Sequence, residues 1–421
     1  MRQAVLLGSA GTKRSDYFKQ AAEKEGLPVQ FVDWKDWERD DACLPEGELF
    51  VKIDPPVWES CRLGELRTLT GQYRAALQRL AEQKKERRIT FFNDPSAILT
   101  LLDKRACKQR LREAGLPVTE ELPQGCGAKP NPGQREPEEG AARGEEPGPE
   151  RVRKGPAVCA GCGAKPNPGQ REPEEDAAGR EPGPERVRKG PAVCAGREAE
   201  REPGGLRAEG LLECMRQQRI FQVFLKPVYG SGAAGVSAFR FQPKTGRMML
   251  YTCAKLHPEY GLVNTKRLRC FSKKEEIIPL LEAILGLSCI VERWYPKAEH
   301  EGYSYDFRMV MQEGEPDFLL ARLSKGPITN LHLNNHPMEV SGLGLPGRVQ
   351  KEAAELCRRA MDCFPGLSGA GIDLLPERGR LSLRVIEMNA QGDLMYQDIF
   401  HENRIYRHQA ARMRQWLEEG K

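Results

Sequence analysis

The segment that most restricts how this chain can fold is a tandem duplication near its middle. The text CGAKPNPGQREPEEGAARGEEPGPERVRKGPAVCAG begins at Cys126, and nearly the same text begins again at Cys162, 36 residues later, with one residue fewer. Pro, Gly, Glu and Arg dominate both copies, and large apolar side chains are almost absent. Such a composition cannot offset the entropy cost of ordering the chain. The sequence therefore predicts a disordered insert over residues 124–205, carried in a surface loop of a folded protein.

The repeat junction also contains a C-x-x-C motif, formed by Cys159 and Cys162. Cys126 and Cys194 would complete a set of four thiolates, which is a common zinc-binding composition. However, Cys159 closes one copy and Cys162 opens the next, so the duplication by itself creates the motif. We therefore favour the duplication over a zinc site as its explanation.

The composition of the whole chain argues against several classes of protein. The 65 basic and 60 acidic residues leave a formal net charge of +5, a small excess that predicts neither nucleic-acid nor membrane binding. The apolar run near the N-terminus is too short for a signal peptide, and no segment approaches the roughly 20 apolar residues of a membrane helix. An odd count of 13 cysteines fits reduced thiols better than a disulfide framework. We expect a cytoplasmic protein, whose oligomeric state the sequence leaves open.

Before the insert, apolar strands alternate with helices. Strands are predicted at residues 3–8, 28–34, 48–56 and 89–93, with helices ending at Gly26 and spanning 71–88. A further helix follows, with Asn93 or Asp94 as its cap and Pro95 in its first turn. Gly115 suits its end. This order predicts a parallel α/β domain over residues 1–94.

After the insert, the pattern changes to β-hairpins with a few helices. Strands are predicted at residues 221–228, 235–242, 246–255, 289–296, 305–312, 317–324, 370–377 and 381–390. Helices are predicted at 273–285, at 349–365 and from about His401 onward. Antiparallel strands joined by short turns predict an α+β architecture for this half of the chain.

The loop between the first two of these strands carries the motif G-x-G-x-x-G at Gly230, Gly232 and Gly235. A dinucleotide-binding turn requires a helix after the glycines, whereas the alternating stretch VSAFRF follows here. A Walker A loop is excluded because no Gly-Lys-Ser/Thr ends the motif. The motif instead predicts a flexible hairpin loop whose N–H groups cover a triphosphate, with Lys226 as a point charge beneath. An ordinary glycine hairpin with an exposed lysine is an equally open alternative.

A second group of polar residues lies about 140 residues further on. Asp373 falls in one apolar strand, and Glu387 and Asn389 fall two positions apart in the next, so these two project from one face. A hairpin would bring Asp373 beside them. Three oxygen ligands suit Mg²⁺, which takes substrate phosphates for its remaining positions. The alternative is three solvated polar residues, but an unpaired carboxylate within an apolar strand is costly.

Taken together, these segments resemble the ATP-grasp superfamily of carboxylate–amine ligases. The resemblance is carried by NDPSAILTLLDK, K-P-x-x-G-S-G-x-x-G, V-E-R-W-Y, D-F-R, T-N-L-H, G-I-D and E-M-N, in this order. The nearest branch is similar to the RimK-like glutamate ligases and many bacterial relatives. The resemblance implies a pre-ATP-grasp domain over 1–94 and a central subdomain over 95–123 and 206–296. It also implies a C-terminal ATP-grasp subdomain with the metal site over 297–421.

The resemblance also implies roles for individual residues. Lys104 and Lys226 would contact ATP phosphates, and the metal would be Mg²⁺ or Mn²⁺. Arg308 would act beside Lys226 in catalysis as a phosphate-facing cation. The remaining nucleotide-binding positions would be Gly230, Ser231, Gly232, Gly235, Glu292, Arg293, Asp306 and Asn330, and the metal ligands would be Asp373, Glu387 and Asn389.

Two departures weaken any transfer of the glutamate ligases' substrate. Those ligases usually carry arginine two residues before the asparagine at Asn330, where this chain has Ile328. They also follow the next histidine with Arg-Gly-Gly, whereas Leu-Asn-Asn follows His332 here.

The implied reaction joins a carboxylate to an amine, on small molecules or peptides, through an acyl phosphate, and it releases ADP. It requires no side-chain nucleophile. The open alternatives are an ATP-grasp kinase, a peptide maturase and an inactive nucleotide-binding scaffold.

Overall fold

The computed structural model describes residues 1–38, 44–57, 60–123, 206–230, 232–333, 335–391 and 403–419. The predicted insert, the cysteines of the repeat junction and Ser231 lie outside these residues. The described residues contain three β-sheets with helices packed against them. The architecture is therefore mixed α/β, as the sequence predicted.

The first sheet is parallel and has the strand order β2-β1-β3-β4. Its elements are β1 (Arg2–Gly8), α1 (Lys13–Lys24), β2 (Val29–Asp33), α2 (Trp34–Glu38), β3 (Glu48–Ile53), α3 (Leu66–Glu86) and β4 (Ile89–Phe91). The strand–helix alternation that predicted a parallel unit is confirmed. Trp34 differs from the prediction because it begins the short helix α2 instead of ending β2.

The helix that was predicted between Pro95 and Gly115 is two helices, α4 (Pro95–Leu102) and α5 (Lys104–Glu113). The break lies at Asp103, whose extended backbone and side chain cap α5 through the N–H groups of Arg105 and Ala106. An aspartate inside a helical pattern competes for backbone N–H groups and favours a new N-terminus. Lys104 is therefore the first residue of a helix.

The second sheet is antiparallel, with the strand order β8-β7-β6-β5-β9. Its elements are α6 (Ala208–Gln217), β5 (Gln222–Pro227), β6 (Ser237–Phe241), β7 (Met248–His257), β8 (Gly261–Phe271), α7 (Lys274–Leu285) and β9 (Cys289–Arg293). Apolar side chains of α6 and α7 pack against this sheet around Phe239 and Leu281. The glycine motif lies between β5 and β6, in a hairpin, as predicted.

The third sheet has the order β13-β12-β11-β14-β15, and β10 pairs with β11. Its elements are β10 (Glu299–His300), β11 (Tyr303–Gln312), β12 (Glu315–Ser324), β13 (His336–Glu339), α8 (Gly347–Asp362), β14 (Gly369–Pro376) and β15 (Leu383–Asn389). Helix α8 packs against this sheet through Val349, Leu356 and Ala360.

The final described helix, α9 (Arg404–Glu418), packs against the first sheet as well as against the third. Its Tyr406, Met413 and Trp416 share an apolar cluster with Phe18 and with Phe50 of β3. Helix α9 therefore completes the core of the N-terminal sheet. Among the described residues, no helix combines the length and apolar character required to cross a membrane.

Candidate active site

An open cleft lies between the second and third sheets. Strands β5 and β9 line one side, and strands β11, β12, β14 and β15 line the other. The predicted site residues that line it are Lys104, Lys226, Gly230, Gly232, Glu292, Arg293, Asp306, Asn330, Asp373 and Glu387. The fold thus gathers residues from positions 104 to 387 around one space.

The glycine motif forms a loop with left-handed backbone angles at all three glycines. The φ angles are 117° at Gly230, 64° at Gly232 and 69° at Gly235, a region that side chains rarely adopt. A Cβ at Gly235 would lie 2.9 Å from Pro227 Cγ, and a Cβ at Gly230 would lie 3.1 Å from Leu66 Cδ1. Gly235 is therefore needed at the base of the loop, and it is not among the residues that line the cleft.

A hydrogen bond from Lys104 holds this loop over the cleft. Lys104 Nζ donates a hydrogen bond of 2.6 Å to the carbonyl oxygen of Gly230. A Cβ at Gly232 would lie 3.5 Å from the His332 ring, so the loop approaches the segment that connects β12 to β13. The loop is consequently bonded to α5 on one side of the cleft and lies near His332 on the other.

Beneath the loop, Glu292 is buried between two lysines. Lys226 Nζ lies 2.9 Å from Glu292 Oε2, Lys108 pairs with Oε1, and Thr119 Oγ1 donates to Oε2 at 2.7 Å. Burial alone would raise the pKa of Glu292, but Lys108 and Lys226 outweigh it and hold that pKa at about 2. Glu292 is therefore charged at neutral pH, and its carboxylate positions the lysines.

Lys108 and Thr119 contact Glu292, and the sequence reasoning missed both of them. Lys108 lies one helical turn after Lys104 on α5, so both lysines project from the same face. The four-residue spacing of the two lysines in the sequence could therefore have identified Lys108 as a neighbour of Lys104. Thr119 follows the helix in an irregular segment, and only the fold brings its hydroxyl 2.7 Å from Lys108 Nζ.

The opposite wall carries arginine–aspartate pairs that lie in register across neighbouring strands. Asp306 of β11 faces Arg322 of β12, and Arg308 of β11 faces Asp373 of β14. Arg322 Nε lies 2.8 Å from Asp306 Oδ1, and Arg322 Nη2 lies 3.0 Å from Asp373 Oδ2. Arg308 Nε lies 2.5 Å from Asp373 Oδ1. Residues directly opposite on paired strands share one face, so the four charges form a continuous row.

This row is almost entirely buried, and its charges hold one another ionised. Burial would raise the pKa of Asp306, but Arg322 and Lys297 keep it at about 2. Burial opposes the charge of Arg322 as well, yet Asp306 and Asp373 raise the pKa of this guanidinium above its usual value. Lys297 Nζ also donates a hydrogen bond of 2.6 Å to the Thr329 hydroxyl, which connects the row of charges to the loop after β12. Arg322 and Lys297 were not predicted as site residues.

Arg308 was predicted to face a phosphate. In the structure its guanidinium lies along the sheet against Asp373, and its role at a phosphate stays a prediction. A Cβ at Gly371 would approach Arg308 Nη1 to 2.8 Å, so the Arg308 side chain crosses β14 directly over Gly371, and a larger residue there would displace the guanidinium. Within the part of the chain that the structure describes, Arg308 is not among the residues that line the cleft. Arg308 contributes to the charge of the cleft wall, because it pairs with Asp373 and helps to lower the pKa of Glu387, and both of these residues line the cleft.

The three predicted metal ligands lie together on β14 and β15. Asp373 faces Glu387 in register, and Asn389 Nδ2 donates to Glu387 Oε1 at 3.2 Å. Burial would raise the pKa of Glu387, but Lys104 and Lys226 lower it. The described residues contain no group of three or more His, Cys, Asp or Glu side chains that would hold a metal by themselves. Two carboxylates and one amide nevertheless fit Mg²⁺, because this ion binds few protein oxygens.

The loop after β12 bears the two departures from the glutamate-ligase pattern. Ile328 is buried and lines the cleft, so an apolar side chain stands where those ligases carry a guanidinium. Asn335 Nδ2 donates to the carbonyl oxygens of Ile328 and Asn330, both at 2.8 Å. Asn330 Oδ1 accepts from the N–H of His332 at 2.9 Å. Asn335 thus helps to fix this loop through its side-chain amide, beside the bond from Lys297 to Thr329.

Comparison with known proteins gives structural likeness only. No family model matches the sequence, and no curated protein matches it. Among solved structures, D-cycloserine synthetase DcsG is 10% identical with a TM-score of 0.50, covering 98% of this chain and 100% of its own. Macrocyclase MdnC from Microcystis aeruginosa MRC, bound with precursor peptide MdnA, is 11% identical with a TM-score of 0.49, covering 98% and 99%.

A Chryseobacterium gregarium RiPP-associated ATP-grasp ligase, in complex with ADP and a leader and core peptide, is 11% identical with a TM-score of 0.48, covering 98% and 96%. At these identities the likeness concerns the fold, and the RimK-like branch stays a prediction. The order of the sheets, the cleft between two of them and the likeness to D-cycloserine synthetase DcsG confirm the fold that the motifs predicted: the chain has the ATP-grasp fold.

Proposed function

We propose that this protein is a Mg²⁺-dependent, ADP-forming ligase that joins a carboxylate to an amine through an acyl phosphate. The observation that carries the proposal is the convergence of Lys104, Lys226 and the glycine loop with Asp373 and Glu387 on one cleft. Cations and a backbone cradle on one wall, opposite oxygen ligands on the other, suit a nucleoside triphosphate and its metal.

The positively charged side chains would neutralise the charge that spreads over the transferred phosphoryl group, which is the main catalytic task in such reactions. Lys104 and Lys226 would act from beneath the glycine loop. Lys297 and Arg322 reach the same cleft from the third sheet. When bound, Mg²⁺ supplies further neutralisation of phosphate charge, and Asp373, Glu387 and Asn389 would hold it.

Apolar side chains line the rest of the cleft and would receive the flat base of the nucleotide. Phe224 and Val236 come from the second sheet and its loop, and Leu375 and Ile386 come from the third sheet. A base held between two apolar walls excludes water from the phosphates next to it, which strengthens the electrostatic interactions there. The proposal assigns these four residues to adenine binding.

A screen of ADP release tests the function. The protein is incubated with Mg–ATP and with pools of amino acids and peptides that contain carboxylates, amines or both. ADP release that requires both a carboxylate and an amine supports a ligase. A phosphorylated product without an amine indicates a kinase. Protection from heat by Mg–ATP without any ADP release indicates a nucleotide-binding scaffold, and both outcomes contradict the proposal.

A further inference from the structure

Glu292 has two lysines as partners, although one would be enough to balance its charge. Lys108 pairs with its Oε1, and Lys226 Nζ lies 2.9 Å from its Oε2. All three side chains are at most 9% exposed. Burial lowers the pKa of Lys108, Glu292 opposes this, and the like charge of Lys226 adds to the lowering. Two lysines thus share one carboxylate, so one of them can take a second anion without leaving Glu292 unpaired.

The two lysines differ in what else they reach. Lys226 lines the cleft together with Glu292, whereas Lys108 is not among the described residues that line it. Burial opposes the charge of Lys226, but Glu292 outweighs it and raises the pKa of this lysine, with help from Glu387 and Asp373 on the opposite wall. Lys226 is therefore the one of the two that is placed to meet a phosphate in the cleft.

Lys108 is held at Glu292 by a second contact. Its Nζ donates to Thr119 Oγ1 at 2.7 Å, and the Thr119 hydroxyl donates in turn to Glu292 Oε2 at 2.7 Å. Glu121 lies close enough to favour the charge of Lys108, but its own carboxylate pairs with Arg112 at 3.0 Å. Glu292 therefore keeps one ion pair and one hydrogen bond that do not involve Lys226.

These contacts determine what happens when Lys226 turns toward a phosphate. If Lys226 were the only partner of Glu292, that movement would leave a buried carboxylate without a counter-charge, which is strongly unfavourable. With Lys108 and Thr119 in place, Glu292 stays paired throughout. Lysine is a point charge on a flexible stem, so Lys226 can turn from one anion to another without a movement of the backbone.

We propose that Lys108 is a positioning residue for the phosphate contact of Lys226: it carries the counter-charge of Glu292 and so releases Lys226 to a nucleotide phosphate. The inference rests on the proposed function for the presence of the nucleotide in the cleft. Lys108 itself touches no phosphate, and Thr119 assists by bonding to both Lys108 and Glu292. The role requires that the effect of Lys108 on nucleotide binding depends on the Glu292 carboxylate.

A double-mutant cycle on nucleotide binding tests this role. Isothermal titration calorimetry measures the Kd of Mg–AMPPNP, a non-hydrolysable ATP analogue, for the wild type, Lys108→Met, Glu292→Gln and the double variant. We expect Lys108→Met to weaken binding at least about tenfold when Glu292 is present, because Lys226 then stays with the carboxylate. In the Glu292→Gln background, the same change should weaken binding less than about twofold. Lys274→Met, at an exposed position on α7, should leave the wild-type Kd unchanged.

A second variant decides the case in which Lys108→Met does not fold. Thr119→Val removes the hydroxyl that bonds Lys108 and Glu292 but leaves both charges, so it should weaken binding by about two- to fivefold. Equal effects of Lys108→Met in the two backgrounds, or wild-type binding in Lys108→Met or Thr119→Val, would overturn the role of Lys108 alone. Absence of Mg–AMPPNP binding in the wild type would overturn the proposed function together with this role.

Discussion

The two walls of the cleft carry their charge in different ways. The wall formed by the second sheet and α5 uses lysines, with Lys108 and Lys226 around the single carboxylate of Glu292. The wall formed by the third sheet uses arginine forks in strand register, with Arg322 bridging Asp306 and Asp373. Lysine is a point charge on a flexible stem, whereas the guanidinium is a planar fork with fixed directions. The comparison predicts one adjustable wall of lysines beneath the glycine loop and one rigid wall of guanidinium forks that sets the geometry.

The largest expected effect comes from the acidic residues of the rigid wall. Asp373→Ala and Glu387→Ala should each abolish Mg²⁺-dependent ADP release, because each removes an oxygen that we assign to the metal. Only Asp373→Ala should also lower the free energy of unfolding strongly, because it leaves Arg308 and Arg322 without a shared partner. Denaturant unfolding and ADP release measured on both variants check this. Wild-type turnover in either variant would refute the metal assignment.

Replacing the guanidinium side chain of Arg322 by an apolar one should destabilise the whole protein. Arg322→Met removes the counter-charge that Asp306 and Asp373 share, and breaking such buried pairs costs about 3–5 kcal/mol. Urea unfolding measures the loss. Arg348→Met, at an exposed pair on α8, should change the free energy of unfolding by less than about 1 kcal/mol. If the two variants are equally stable, the row of charges does not support the third sheet.

The flexible wall should affect turnover more than stability. Lys226→Met removes a charge from the phosphates, and Gly232→Val forces a side chain onto a φ of 64° next to His332. Both changes should weaken ATP binding and slow turnover by about 10- to 1000-fold, in line with a few kcal/mol of lost charge stabilisation.

Thermal-shift scans with Mg–ATP and with NAD complete this test. Without ligand, the melting temperature of Gly232→Val should stay near that of the wild type. Protection by NAD alone, or equal protection by ATP in all three proteins, would contradict a loop that covers a triphosphate.

A smaller, pH-dependent effect comes from Glu292. Its pKa is about 2 in the folded protein and 4.5 for the ordinary group, so the folded state binds this proton more weakly than the unfolded state. The resulting stability is present above pH 4.5 and is lost as the pH falls toward 2. The free energy of unfolding should therefore fall more steeply over this range in the wild type than in Glu292→Gln. Glu209→Gln, at an exposed site on α6, should follow the wild type.

The smallest expected effect concerns the duplicated segment. Replacing residues 124–205 by a flexible linker of about six residues should leave the unfolding temperature and the ADP release close to their wild-type values, because loop closure depends weakly on length. The flanking Leu122 and Leu206 both pack in the core of the second sheet, so the junction stays anchored. Loss of folded protein or of nucleotide binding in the deletion would refute this expectation.

Sequence patterns predicted the sheets and most of the cleft, because strand alternation and short motifs are local. The hairpin of β14 and β15 and the positions of Asp373 and Glu387 followed from them. The pattern did not predict the break at Asp103, where an N-cap interrupts the helical spacing of apolar residues. It also did not predict strand β8, which is partly solvent-exposed and lacks regular alternation of apolar and polar residues. The pairing of Lys108 with Glu292 joins residues 184 positions apart, and no local pattern encodes it.

The packing of α9 on the first sheet has a consequence for how the protein is made. Arg2 donates to the carbonyl of Trp416 across a separation of 414 residues, and the aromatic rings of Phe50 and Trp416 meet at 5.5 Å. During synthesis the strands of the first sheet leave the ribosome long before α9 is made. The apolar side chains that α9 covers therefore stay exposed until the helix is complete. Such distant partners slow folding and prolong exposure to aggregation. Mild truncations that remove α9 would therefore harm the yield of folded protein before they reach any residue of the cleft.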